Sequence, residues 1–325
     1  MDYRKVGSSG MQVSSICLGT AFRGFINGQT DEQTCIQTIE RAVDLGINFI
    51  DCANFYFLGK CEEVLGKTLK GMKGKRDDLV VTSKVCSRIG EEPNDQGLSR
   101  FHILREIDRS LKRLQLDHVD IYLLHNFDPE TPMEETFRAM DDVVSQGKAR
   151  YVGICNYKAA QVVEALWTCD RHRFDPPLIL QNRYNLLNRW EVEPEIFPRC
   201  NQHGLGLMTF SPIAVGFLTG RIRRGKALPA DALPVQKDRY DEMTTERADK
   251  ALDVLMDISS ELEKTPVQVA INWILDHKEI TAAISGPDRP QHIEEVCGAV
   301  GWSLPPEARK RLDDVSAPVP GGDIF

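Results

Sequence analysis

Short apolar runs bounded by turn residues alternate along the chain with longer stretches whose apolar positions return every three or four residues. The runs at 15–18, 47–51, 79–84, 119–125, 151–155, 178–182, 206–210 and 281–284 predict eight strands. Stretches at 30–45, 62–69, 103–114, 133–145, 159–169, 194–202 and a long one from about 247 to 276 predict the helices between and after them. Helix boundaries are also visible. Thr131 and Pro132 precede Glu134 and Glu135, which brings together a capping hydroxyl, a first-turn proline and first-turn acids, and Gly147 closes that helix.

Eight buried strands, each followed by a helix, pair in parallel with the helices outside, and closure into a (β/α)8 barrel removes both sheet edges. The alternative is a doubly wound sheet. A dinucleotide-binding sheet of that kind wants G-x-G-x-x-G in its first strand-to-helix turn, where this chain reads GTAFRG. Length alone would suit two domains, but no Pro/Gly/Ser-rich linker or change of composition divides the 325 residues, so a single barrel domain spanning 1–325 is expected. Chemistry in such a barrel collects at the C-terminal ends of the strands and on the loops that follow them, and long loops are expected on that face.

Composition narrows the classes of function. Forty basic and 48 acidic side chains leave a net charge of -8, which repels nucleic acid and anionic lipid. No apolar run reaches the roughly 18 residues of a membrane span, and the opening MDYRKVGSSG lacks a signal-peptide core. The nine cysteines are odd in number and include no C-x-x-C pair, so neither a disulfide framework nor a zinc ribbon is expected, and a reducing cytoplasm is the simplest setting.

The strand ends are polar. The second strand ends in Asp51, with Tyr56 in the loop beyond it; the third ends in Lys84 and the fourth in His125. Each alone has an ordinary structural explanation: a turn cap, a rim residue, a lysine reaching for water. Together they put an acid, a phenol, an ammonium and an imidazole at one barrel mouth. A phenol with a reference pKa of about 10 is a poor proton donor near neutrality, and a nearby ammonium is expected to lower it by about 1–3 units. Asp51 would then hold Lys84, Lys84 would tune Tyr56, and His125 would orient a substrate oxygen.

The motifs around these residues resemble the aldo-keto reductase superfamily over nearly the whole chain. GINFIDCANFY and CEEVLG resemble its second-strand signature, VVTSKV supplies Lys84, and DIYLLHNFDPETP supplies His125. GKARYVGICN, LILQNRYNLL and TFSPIAVGFLTGR resemble the later strands and the loop that folds over the cofactor. The resemblance implies NAD(P)H-dependent hydride transfer to or from a carbonyl or alcohol, a TIM barrel fold, and Asp51, Tyr56, Lys84 and His125 as the catalytic tetrad, without metal. It also implies a set of cofactor residues: Gly19, Thr20, Asp51, Cys155, Asn156, Gln181, Phe210, Ser211, Pro212, Gly216, Leu218, Gly220, Arg221, Gly286, Arg289, His292 and Glu295. Among these, Asn156 and Gln181 would bind the nicotinamide carboxamide.

Several positions depart from the family pattern. Cys155 stands where serine is common, Phe210 where a tyrosine usually stacks on the ring, and Val296 where an asparagine is usual. NADPH is the expected cofactor by family habit, with NADH as the alternative because Asp288 beside Arg289 would repel a 2′-phosphate. Phe22, Phe57, Arg88 and Asn126 are the candidate substrate contacts, and the loops 86–97, 219–244 and 318–325 are long enough to wall a pocket. Two other readings stand beside the reductase. One is a nicotinamide-sensing regulatory subunit resembling the channel-associated β subunits; the other is a barrel hydrolase or isomerase, which would need a second carboxylate pair or a metal-binding histidine set.

Overall fold

The computed structural model describes residues 1–72 and 74–318. Eight strands close into a parallel barrel in chain order: β3 (Ile16–Gly19), β4 (Phe49–Asp51), β5 (Val80–Val85), β6 (Val119–Leu124), β7 (Ala149–Cys155), β8 (Pro177–Arg183), β9 (Gly206–Phe210) and β10 (Ala282–Ser285), the last pairing back onto β3. These segments are buried along nearly their whole length, as expected of strands filled on one side by the barrel interior and covered on the other by helices. The interior holds Cys17, Phe49, Ile121, Leu123, Ile179, Met208 and Ile284, and a much larger apolar layer lies between barrel and helices.

The sequence pattern missed the antiparallel hairpin of β1 (Tyr3–Lys5) and β2 (Gln12–Ser14). Its strands have only three residues each, too few to display an alternation, yet Val6 and Val13 are fully buried in the interior cluster and close the barrel floor. The predicted long helix at 247–276 is two helices, Glu246–Glu261 and Pro266–Leu275. The break has a local cause: Thr265 caps the second helix in a capping box with Gln268, and Pro266 occupies its first turn. The helix Met133–Ser145 starts one residue later than the cap reading implied. Pro132 is its N-cap, and the Thr131 hydroxyl donates instead to Asp128 Oδ2 at 2.8 Å.

Strand register aligns the polar strand ends. Gly19 pairs with Asp51, Asp51 with Thr82, Lys84 with Leu123, and Cys155 with Gln181, so these residues ring one rim. Alternation along β5 then separates neighbours: Thr82 and Lys84 point into the barrel and bond Asp51, whereas Ser83 points outward and bonds Glu62 on the helix Lys60–Gly71.

Candidate active site

Lys84 is wholly buried and has used all three of its N–H donors. They reach Asp51 Oδ2 at 2.7 Å, the Cys52 carbonyl at 2.9 Å and Tyr56 Oη at 3.1 Å. The second carboxylate oxygen of Asp51 accepts from Thr82 Oγ1 at 3.0 Å and from Gln181 Nε2 at 2.9 Å. Because the phenol oxygen accepts from the ammonium, its own O–H remains free to donate elsewhere. His125, one residue past β6, is held by its backbone N–H to the Val85 carbonyl at 2.8 Å, and its ring stands edge-on to Tyr56 with centroids 5.8 Å apart. Its Nδ1 is buried with no hydrogen-bond partner among the described residues.

Electrostatics correct one expectation. Burial dominates at Tyr56 and pushes the phenol above its ordinary value, with the Lys84 charge pulling it back down and Asp51 adding to the rise. The net effect is a phenol that stays protonated at neutral pH, not an acidified one. Burial works to lower Lys84, but Asp51 and then Tyr56 overcome it, so the ammonium persists well above the usual lysine range. Burial, aided by the Lys84 charge, lowers His125 to about 3, which leaves a neutral imidazole across the physiological range. A neutral ring keeps one donor and one acceptor nitrogen.

The amides flank this chain. Asn156, left-handed at φ 60°, donates through Nδ2 to the His125 carbonyl at 2.9 Å and to Asn126 Oδ1 at 3.1 Å. The Thr20 hydroxyl donates to the Asp51 carbonyl at 3.0 Å, and Gly19 is packed so closely that a Cβ would meet Ile284 at 2.9 Å. Cys155 is buried beside Lys84 and Asp51, and burial raises its thiol above the usual range. Beyond β9, Ser211, Ala214, Val215 and Gly216 all take positive φ. Asn185 Nδ2 pins the Ser211 carbonyl at 2.8 Å, and Gln236 Nε2 pins that of Val215 at 2.8 Å. Neither amide was singled out in the sequence, since both act across long separations with no local signature.

Other sequence candidates fall differently. Leu218 is fully buried in the core, and Pro212 is also buried. Arg221 is engaged by both oxygens of Asp231 at 2.7 and 2.9 Å, so it is paired within its own loop. Arg289 donates to the Gln29 carbonyl at 3.4 Å, and Gly286, His292 and Glu295 lie on the neighbouring turn and the helix Pro290–Cys297. Asp288 accepts from the Gly24 backbone N–H at 2.8 Å, with its carboxyl raised by burial. Phe22 is fully buried below the rim, whereas Phe57 is exposed and packs edge-on against Phe25 at 5.4 Å. Arg88 closes its own loop on Gln96, Gly90 and Glu92, and Asn126 is exposed at the mouth. Of the wall loops, 219–244 contains the short helices Pro234–Asp238 and Tyr240–Met243, while residues 319–325 of the tail lie outside the described residues. The Arg183 guanidinium lies over the Phe210 ring, 5.8 Å from its centroid, a contact with no signal in the sequence. Among the described residues no helix is long and apolar enough to cross a membrane.

Fold and site together define a (β/α)8 barrel with an acid–ammonium–phenol chain at its mouth. The aldo/keto reductase family model matches residues 15–317, and the chain belongs to that family. It is similar to a probable voltage-gated potassium channel subunit beta of Arabidopsis thaliana, at 37% identity over 303 residues that cover 92% of this chain and 91% of that protein. It is also similar to two Bacillus subtilis proteins. The uncharacterized oxidoreductase YrpG is 35% identical over 331 residues, 99% of this chain and 98% of the relative. The aldo-keto reductase YhdN is 32% identical over 321 residues, 97% and 93% respectively.

Proposed function

We propose that this chain passes a hydride between NAD(P)H and an aldehyde, ketone or sugar carbonyl, or runs the reverse alcohol oxidation, with Tyr56 as the general acid in reduction and the base in oxidation. The observation that carries this reading is the fully used Lys84 ammonium, one of whose N–H groups donates to the phenol oxygen. The phenol's remaining proton is then available to a substrate oxygen, and the buried cation offsets the charge left on Tyr56 once that proton departs.

The rim residues suit a nicotinamide dinucleotide, which when bound supplies the hydride. A Cβ on Gly286 would meet nothing closer than the Gly19 carbonyl at 3.7 Å, so the turn before the helix Pro290–Cys297 offers open space beside backbone N–H groups. The pinned run at Ala214–Gly216 holds further backbone in the left-handed geometry of anion-binding concavities. In this reading Asn156 and Gln181 bind the carboxamide and Phe210 lies against the ring. Gly19, Thr20, Cys155, Ser211, Gly220, Arg221, Arg289, His292 and Glu295 complete the cofactor set. NADPH is favoured over NADH, because Asp288 is turned into a bond with the Gly24 N–H, which occupies the carboxylate that would otherwise face a 2′-phosphate. Neutral His125 presents its ring to the substrate oxygen and orients it for Tyr56. Phe57 and Asn126 remain as rim contacts for a substrate, and the protein acts in the cytoplasm.

A second reading follows from similarity to the Arabidopsis thaliana probable potassium channel subunit beta at 37% identity: a subunit that binds the nucleotide and turns over slowly. One experiment separates the two. Purified protein is incubated with NADPH or NADH and a panel of aldehydes, ketones and sugars beside a Tyr56→Phe control. Multiple turnovers abolished in the control support the reductase; tight nucleotide retention with very slow turnover of every carbonyl tested supports the subunit; a control as fast as the parent removes Tyr56 from the mechanism.

A further inference from the structure

The turn that presents Tyr56 is strained and is anchored from behind. Phe57, Leu58 and Gly59 are three successive left-handed residues at φ 50°, 50° and 88°, and the first two have side chains exposed by 41% and 67%. Apart from the edge-on contact of Phe57 with Phe25, little outward packing holds them in a conformation that L-residues avoid. Beneath the turn lies Arg113, from the helix Arg100–Leu114, and a Cβ on Gly59 would meet its Cδ at 2.6 Å and its Nε at 2.7 Å.

Arg113 is part of a buried polar network. Its Nε donates to Glu62 Oε2 at 2.6 Å, and its Nη2 donates to Glu106 Oε1 at 2.6 Å and to Ser110 Oγ at 3.1 Å. Both glutamates have side chains with no exposure at all. The other oxygen of Glu62 accepts from Ser83 Oγ at 2.5 Å. Ser83 precedes Lys84 on β5, and Glu62 lies in the first turn of the helix that Gly59 caps. The network thus ties the far end of the Tyr56 turn to the strand from which the ammonium projects.

We propose that Arg113 is a positioning residue for Tyr56: with Glu62 and Ser83 it clamps the strained turn onto β5 and so sets the distance between the phenol oxygen and the Lys84 ammonium. The inference rests on the catalytic role given to Tyr56 above. Its physical basis is that displacing a reacting group by about 1 Å can cost about 100-fold in rate.

The test uses Ser83→Ala, Ser83→Thr and Arg113→Met in the full chain, with NADPH and 4-nitrobenzaldehyde as probes. Ser83→Ala is expected to lower kcat about three- to tenfold, with the aldehyde KM and the NADPH dissociation constant within about twofold, and the Thr hydroxyl is expected to restore it. Arg113→Met, where it folds, should lower kcat further with the same split. A second readout needs no cofactor: in protein labelled with 3-fluorotyrosine, the fluorine resonance assigned to Tyr56 by Tyr56→Phe should move in Ser83→Ala while that of Tyr184 stays. An unmoved Tyr56 resonance, an unchanged kcat, or a loss shared equally by kcat, KM and cofactor affinity overturns the clamp. Turnover by Tyr56→Phe at the parent rate would instead overturn the role of the phenol, and the resonance would still decide whether Arg113 positions it.

Discussion

Lys84 and Asp51 form an ion pair of 2.7 Å with side-chain exposures of 0% and 2%. Removing one partner of a buried pair leaves the other charge uncompensated, at a cost of about 3–5 kcal/mol. Asp51→Asn should therefore lower the unfolding free energy by about that amount at neutral pH, as measured by urea titration. The pH dependence has a definite sign. Lys84 is held above its ordinary value, so its stabilisation is complete below the unfolded lysine value of about 10.4 and is lost as pH climbs from there toward the folded value. Asp51→Asn should lack that alkaline loss, and equal alkaline slopes in parent and variant would contradict the assignment.

Tyr56→Phe removes one acceptor from the ammonium and the proposed proton donor, but it leaves the Asp51 and Cys52 contacts of Lys84 in place. Carbonyl reduction should fall about 10²–10⁴-fold, the range of general acid catalysis. NADPH affinity, read from quenching of tryptophan emission, should stay within about twofold. A comparable loss in affinity would mean that the hydroxyl supports the cofactor site and not the proton transfer.

The tetrad candidates were legible because each sits at or just past the end of an apolar run, where a barrel gathers its chemistry. The protonation logic was less so. Position along the chain shows that Lys84 and Tyr56 converge, but not that burial outweighs the ammonium at the phenol. Arg221 read as a phosphate-binding cation in a basic run, and the fold adds what spacing does not show, an exposed ion pair with Asp231. Asn185, Gln236 and Arg113 carried no signal at all, because each acts on a backbone segment or ion pair more than 20 residues away. Phe22 read as a mouth aromatic because it follows the first strand, yet the turn folds it inward.

His125 yields a test of its environment that does not depend on turnover. Its folded value of about 3 lies below the unfolded value of about 6.5, so the unfolded chain binds one more proton between these limits. Stability linked to this residue is complete above about pH 6.5 and is lost as pH falls toward 3. His125→Gln should show a shallower decline of stability over that window, by up to one proton in the slope. A decline as steep as the parent's would mean that the imidazole is not held neutral.

The loop after β9 offers a final prediction, because its conformation is costly and its support is identifiable. Ala214 and Val215 are non-glycine residues at φ 48° and 56°, a region that L-residues avoid. Gln236 offsets this by donating to the Val215 carbonyl at 2.8 Å while its own Oε1 accepts from Leu233 N at 2.9 Å. Gly216 leaves room for that amide: a Cβ there would lie 2.6 Å from Gln236 Nε2. Gln236→Ala removes the tether without touching the strand ends, so the loop should relax away from its left-handed geometry. A hydrogen bond of this kind contributes about 1 kcal/mol, so the NADPH dissociation constant should rise about fivefold, read from tryptophan quenching. Saturating NADPH should restore the parent kcat, since nothing at Tyr56 or Lys84 has changed. An unaltered affinity would show that the loop keeps its shape without Gln236, and a kcat that stays low at saturation would place the residue closer to the chemistry than its contacts suggest.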